Sequence, residues 1–139
     1  MIYLDTSVVV PLFLADAHSP RVAIWMSGLT GVTGSVSAWT IAEFSSAVAG
    51  QERTGQITLA DRQAAETAFD GWVTTVQAAP VLAADFLAAR QLIRTDRVRL
   101  RTPDALHIAV ALRLGASVAT LDQAMERAAT DLGLTVEVI

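Results

Sequence analysis

The sequence predicts an α/β fold, a three-layer α/β/α sandwich around a central parallel sheet of four to five short strands. Three observations predict it. Strand-like apolar runs alternate with helical segments, which implies a parallel sheet covered on both faces. No repeat, low-complexity run or linker interrupts the chain, so residues 1–139 read as one domain. That length suffices to remove roughly 70% of the unfolded surface from water and build a real core.

Ile2 to Leu4 reads as a short buried strand delivering Asp5, and Thr6-Ser7 lead into an apolar helical segment ending near Ala15, with Pro11 expected to shorten or bend it. Ser19 followed by Pro20 reads as an N-cap with proline at the first helical position, opening a helix to about Ser27 that Gly28 to Gly31 break. Val32 to Val36 suits a second strand, and a helix runs from Ser37 through Glu43 and Val48 to the turn at Arg53-Thr54-Gly55. Thr58 with Asp61 three residues on marks the next helix, to about Val73. Thr74 to Val81 is apolar but holds Pro80, which allows only a short or edge strand. A helix from about Ala83 ends near Arg94. Thr102-Pro103-Asp104 opens another, running to Leu114 and stopped by Gly115. Ser117 to Leu121 reads as a strand, Asp122 to Leu132 as a helix closed by Gly133, and Thr135 to Ile139 as a last alternating strand.

Composition narrows the chemistry. Cysteine is absent, which removes thiol nucleophiles, thiolate-bound zinc and disulfides, and fits a reducing compartment. The N-terminus has no basic leader, and the apolar stretch Val8 to Ala15 is broken by Pro11 and too short to span a bilayer, so a cytoplasmic protein without a membrane role is expected. Hydrophobic residues make up 53% and charged residues 17%, apolar enough to imply a surface buried in an oligomer. A net charge of −4 repels nucleic acid at long range, so any such role rests on local basic patches and bound cations. All ten basic residues are arginine, which excludes mechanisms that require lysine, such as P-loop ATPases and Schiff-base enzymes.

Four acids then stand out. Asp5 and Asp122 fall just past the carboxyl ends of predicted strands, where open parallel sheets bind ligands, while Glu43 and Asp104 lie in the opening turns of helices that can start at the same edge. Carboxylates about 5 Å apart repel by roughly 3 kcal/mol per pair at an effective dielectric near 20, so such a cluster needs a cation or protons. An all-oxygen set suits Mg²⁺, with Mn²⁺ able to substitute, and a phosphodiester substrate attacked by a metal-activated water.

These residues resemble the PIN-domain family, in particular the VapC-type toxins of type II toxin-antitoxin systems. The carriers are Ile-Tyr-Leu-Asp5-Thr6-Ser7, Ala42-Glu43-Phe44, Thr102-Pro103-Asp104-Ala105-Leu106-His107 and Thr120-Leu121-Asp122, in an order and spacing that span essentially the whole chain. The resemblance implies a PIN fold, Mg²⁺- or Mn²⁺-dependent endoribonuclease activity on RNA, a homodimer, and inhibition by a small cognate antitoxin. It implies Asp5, Glu43, Asp104 and Asp122 as the catalytic, metal-binding quartet, with Thr6, Ser7 and Thr120 as hydroxyls that steady the acids.

Plainer readings exist for each residue. Asp5 could cap the first helix, Glu43 could close a capping box with Thr40, Asp104 could serve the helix dipole and Asp122 could start its own helix. Their joint placement favours a shared site. His107 falls one turn after Asp104 and reads first as a packed histidine with a satisfied ring nitrogen, and His18 as exposed loop; neither is expected to bind metal. Asp70, Asp85 and Asp96 read as solvated. Arg90, Arg94, Arg97, Arg99 and Arg101 form the one basic stretch, opposed only by Asp96, and Arg97, Arg99 and Arg101 are candidates for phosphate contact. Trp25, Trp39 and Trp72 read as core or subunit interface before base stacking.

Two competing enzyme classes use a strand-end aspartate as phosphoryl acceptor. Haloacid-dehalogenase-like phosphatases want a second aspartate where Ser7 stands, and both they and receiver domains lean on a lysine that this chain lacks. A non-catalytic module that grips RNA or an antitoxin is the remaining alternative, and the intact set of acids speaks against it.

Overall fold

The computed structural model describes residues 1–95 and 99–139. Among them the chain forms β1 (Ile2–Leu4), α1 (Thr6–Val9), a 3-10 turn (Val10–Leu12), α2 (Ser19–Gly28), β2 (Gly34–Ser37) and α3 (Ala38–Arg53), then α4 (Leu59–Val73), β3 (Gln77–Ala79), α5 (Ala83–Arg94), α6 (Thr102–Leu114), β4 (Ser117–Ala119) and α7 (Gln123–Asp131). The four strands form one parallel sheet in the order β3-β2-β1-β4, with helices on both faces, as the alternating pattern predicted.

The two faces are legible in β1 itself. Successive strand side chains point to opposite sides. Ile2 and Leu4 join a core with Val8, Val36, Phe44 and Phe69, whereas Tyr3 joins a second core with Ile108, Val118 and Met125. On the first face Phe44 and Phe69 stack at 3.9 Å between ring centres, with Phe13 edge-on to both. Trp25 and Trp72 pack against this core and Trp39 against a smaller cluster around Leu106, so all three are packing residues here.

Most element signals acted as read. Ser37 caps α3 through a box with Thr40, and Thr58 caps α4 through a box with Asp61. Gly115 ends α6 at φ 61°, a left-handed conformation that favours glycine. Pro11 falls in the 3-10 turn, and the first helix is α-helical for only four residues. Four boundaries differ. Strand β2 lies at Gly34–Ser37 rather than Val32 to Val36, because β1 pairs Ile2 with Gly34. Strand β4 ends at Ala119 because the Leu121 and Asp122 amides turn to side-chain hydroxyls. Residues Thr135 to Ile139 make one parallel bridge, Val118 to Val136, in place of a full strand. Ser19 is not the cap of α2: the Asp16 carboxylate accepts from the amides of His18 and Ser19, and the Ser19 hydroxyl donates back to Leu14 O.

Asp85 is a correction of another kind. Read as solvated, it is buried at 2% exposure and accepts from Arg113 Nε at 2.7 Å and Nη2 at 3.0 Å and from the Leu82 amide at 2.8 Å. A carboxylate at the third position of a helix caps its own first turn, and here a cation from α6 makes its burial tolerable. Asp70 is exposed as expected, and the expectations for Asp96 and Arg97 lie outside the described residues. No helix among the described residues is long and apolar enough to cross a membrane.

Candidate metal centre at the sheet edge

Central strand β1 ends in Asp5, whose amide bonds Ala119 O of the neighbouring strand at 3.0 Å and whose carbonyl accepts from Val8 and Val9 to open α1. Asp5 therefore sits at the helix cap by backbone, yet its side chain makes no cap bond. The carboxylate is instead buried and held at Oδ2 by Ser7 Oγ at 2.6 Å and Thr120 Oγ1 at 2.8 Å. Both hydroxyls are themselves oriented: Ser7 Oγ accepts from the Leu121 amide and Thr120 Oγ1 from the Asp122 amide. A hydroxyl has one proton, and these amides leave it to point at Asp5.

Glu43 stands on α3, past the capping box that Ser37 and Thr40 form without it. Its Oε2 accepts from Thr6 Oγ1 at 2.6 Å and lies 2.6 Å from His107 Nε2. Burial alone would raise its pKa, but the bonds from His107 and Thr6 outweigh that and hold it below the usual carboxylate range. The indole of Trp39, one turn earlier, also lowers it, although its buried Nε1–H makes no bond of good geometry. His107 Nε2 is 3.4 Å from Asp5 Oδ1, so Asp5, Glu43 and His107 each offer a ligand atom within 4.8 Å of the others.

Asp104 is half-buried in the first turn of α6. A helix start should favour its charge, yet its pKa is raised: burial contributes most, then the charges of Asp122 and Asp5, against a smaller opposing pull from Arg101. The latter two carboxylates are thus close enough to Asp104 to be felt. Asp122 is exposed and caps α7, its Oδ1 accepting from the amides of Ala124 at 2.7 Å and Met125 at 2.9 Å. Its plainer reading is realised at one oxygen, and its charge still reaches Asp104. Beside it opens a cleft of about 340 Å³ lined by Ser7, Pro11, Asp16, His18 and Asp122.

Thus the structure brings Asp5 and Glu43 together with His107, while Asp104 opens α6 and Asp122 caps α7; Thr6 touches Glu43, and Ser7 and Thr120 touch Asp5. Arg99 and Arg101 are exposed, and Arg101 precedes α6. His18 is exposed as read. His107 is packed with both ring nitrogens partnered, as read, and its Nε2 also faces Glu43 and Asp5, so it belongs to the site as well as to the core. Sequence reasoning missed Tyr3, whose hydroxyl lies 2.7 Å from His107 Nδ1. The available signal was a lone tyrosine in an otherwise apolar buried strand, since a buried phenol needs a partner.

A short parallel sheet covered by helices on both faces, with Asp5 and Glu43 beside His107 at its carboxyl edge, places the chain among α/β proteins. The PIN domain model matches residues 2–131, and the chain belongs to that family. Comparison with curated proteins found no match. Among solved structures the chain is similar to FitAcB from Neisseria gonorrhoeae, at 22% identity over 99% of this chain and 97% of that one, with a TM-score of 0.76. It is also similar to VapC20 of Mycobacterium tuberculosis, described as a sarcin-ricin loop cleaving toxin, at 21% identity over 92% and 95%, with a TM-score of 0.73. VapBC2 from Rickettsia felis, bound to a DNA fragment from its promoter, matches at 17% identity over 99% and 98%, with a TM-score of 0.66. At these identities the likeness shows the fold.

Proposed function

We propose that the chain is a metal-dependent endoribonuclease, the toxin of a toxin-antitoxin pair, with Asp5, Glu43, Asp104 and Asp122 as its metal-binding and catalytic acids. The observation that carries this is the cluster of Asp5, Glu43 and His107 at the sheet edge, each offering a ligand atom within 4.8 Å of the others, and Asp104, whose ionisation burial and then Asp122 and Asp5 oppose, agrees with it. The donor set fits a hard divalent cation, Mg²⁺ with Mn²⁺ substituting, because it offers carboxylate oxygens and little nitrogen. When bound, such a cation would neutralise the acids, clamp phosphate oxygens and acidify water.

The chain's own residues supply the positioning. Ser7 and Thr120 take up Asp5 Oδ2, and Thr6 and His107 take up Glu43 Oε2. Among the described residues Asp5 Oδ1 has only the long 3.4 Å contact to His107 and Glu43 Oε1 has no hydrogen bond of good geometry, so these are the oxygens left for a cation or a water proton. Asp104 and Asp122 complete the set from α6 and the start of α7, and Arg99, Arg101 and Arg97 are assigned to RNA phosphates.

The partner assignments follow the same reading. FitAB bound to a DNA fragment and the VapBC2 complex support a small cognate antitoxin as inhibitor. A homodimer is supported by Phe86, Leu87 and Ile93, large apolar side chains that α5 exposes.

End-labelled RNA incubated with the purified protein in Mg²⁺, Mn²⁺ or chelator tests the reading. Cleavage in either metal, lost on chelation and lost in a folded Asp5→Asn variant, is expected. RNA binding without cleavage in every metal would turn the protein into a binding module, and full activity of Asp5→Asn would take Asp5 out of the site.

A further inference from the structure

Seven polar or charged side chains are buried among the described residues, and five of them (Asp5, Ser37, Thr40, His107 and Thr120) belong to the hydrogen-bonded assembly around the acids. Its deepest part is a chain crossing from β1 to α6 to α3. The Tyr3 hydroxyl, 2.8 Å from Ser37 Oγ and 3.3 Å from Thr40 Oγ1, reaches His107 Nδ1 at 2.7 Å, and His107 Nε2 reaches Glu43 Oε2 at 2.6 Å. Tyr3 and His107 are 0% and 1% exposed, so neither is a surface contact that water could replace.

The proton directions follow from the partners. Glu43 Oε2 already accepts from Thr6 Oγ1, and a carboxylate oxygen accepts, so the 2.6 Å bond to it calls for a proton on His107 Nε2. A neutral ring protonated there has a lone pair at Nδ1, which needs a donor. The Tyr3 phenol O–H supplies it, while the Ser37 or Thr40 hydroxyl can donate to the phenol oxygen. We propose that His107 is a positioning residue: braced at Nδ1 by Tyr3, it presents Nε2–H to Glu43 and at longer range to Asp5, fixing the Glu43 carboxylate with Oε1 left for the cation. The inference rests on the metal-dependent reading of the acid cluster. It sets His107 apart from a ligand, since ligation through Nε2 would require that nitrogen to give up its proton and its bond to Glu43.

The test has a readout that needs neither metal nor activity. In chelator-treated protein labelled with ¹⁵N-histidine, the rings of His18 and His107 are told apart by His107→Gln, and His107 Nε2 is expected to carry a proton. An unprotonated Nε2 overturns the proposal. Mn²⁺ titration calorimetry follows, with folding of each variant checked by circular dichroism. His107→Ala is expected to lose affinity roughly 10- to 100-fold, as removal of groups that orient metal ligands does. His107→Gln, whose amide can still donate to Glu43, recovers part of that loss. Tyr3→Phe keeps the ring packing and serves if His107→Ala does not fold; it too is expected to weaken Mn²⁺ binding. Wild-type affinity in either folded variant overturns the proposal, as does tighter Zn²⁺ than Mn²⁺ binding that disappears in His107→Gln, which makes His107 a ligand. A wild type that binds Mn²⁺ but cuts no RNA removes the nuclease reading alone, and one that binds no Mn²⁺ removes the metal site together with this role.

Discussion

Asp104 and Glu43 are perturbed in opposite directions, and the contrast gives each a different consequence. For Asp104 burial, then Asp122 and Asp5, raise the pKa above the ordinary 3.8. A raised acid is at no disadvantage in the fold while protonated in both states; the penalty grows as pH rises from the ordinary 3.8 to the raised value and is complete above it. Asp104→Asn is therefore expected to melt at or above the wild type at pH 7 in chelator. Saturating Mg²⁺ should then stabilise the wild type more, by about 2.7 kcal/mol at one hundred times Kd, and the variant less. Equal shifts in thermal denaturation would remove Asp104 from the cation site. Asp5, Asp104 and Asp122 stood out in the sequence because each follows a strand or opens a helix, positions that a parallel topology can bring to one edge, whereas Glu43 lies in the second turn of α3. A lone tyrosine in an apolar strand signals that Tyr3 needs a partner, but not which one, because His107 lies 104 residues away.

At the scale of elements the least legible feature is how α5 is joined to α6. Helix α5 turns Asp85 and Ala89 inward and leaves Phe86, Leu87 and Ile93 exposed, and Arg113 of α6 grips Asp85 while also donating to Pro80 O. Nothing in a 28-residue separation signals this pair, and Asp85 looks like any first-turn acid. Burial would raise the Asp85 pKa, but the bonds from Arg113 and the Leu82 amide, with the charge of Arg113, bring it below the ordinary 3.8. An acid with a lowered folded pKa contributes stability that is present above 3.8 and lost as pH falls through the folded value. Arg113→Met should strand the buried carboxylate and cost about 3 kcal/mol at neutral pH in urea unfolding, with the difference from wild type shrinking in acid. A cost under about 0.5 kcal/mol, or one independent of pH, would reduce the pair to the standing of a surface salt bridge.

For the whole molecule, helices and strands were readable from periodicity and caps, but the strand order β3-β2-β1-β4 was not, since it is set by crossovers that no local pattern encodes. That order makes β1 a central strand and so places Asp5 between the elements carrying Thr120 and Glu43. On the proposed ribonuclease reading it also sets an electrostatic problem, because a chain of net charge −4 would present acids to a polyanionic substrate. Exposed Arg99 and Arg101, leading into the helix that carries Asp104, can offset this locally where the summed charge cannot. If both neutralise phosphates of single-stranded RNA, each accounts for about 0.7 of the slope of log affinity against log salt. Arg99→Gln with Arg101→Gln should then flatten that slope by about 1.4 in filter-binding measurements on the Asp5→Asn protein, which is expected to bind without cutting. Weaker binding with an unchanged slope would place these arginines against something other than phosphate, and the attraction for RNA would have to come from the cation and from base contacts.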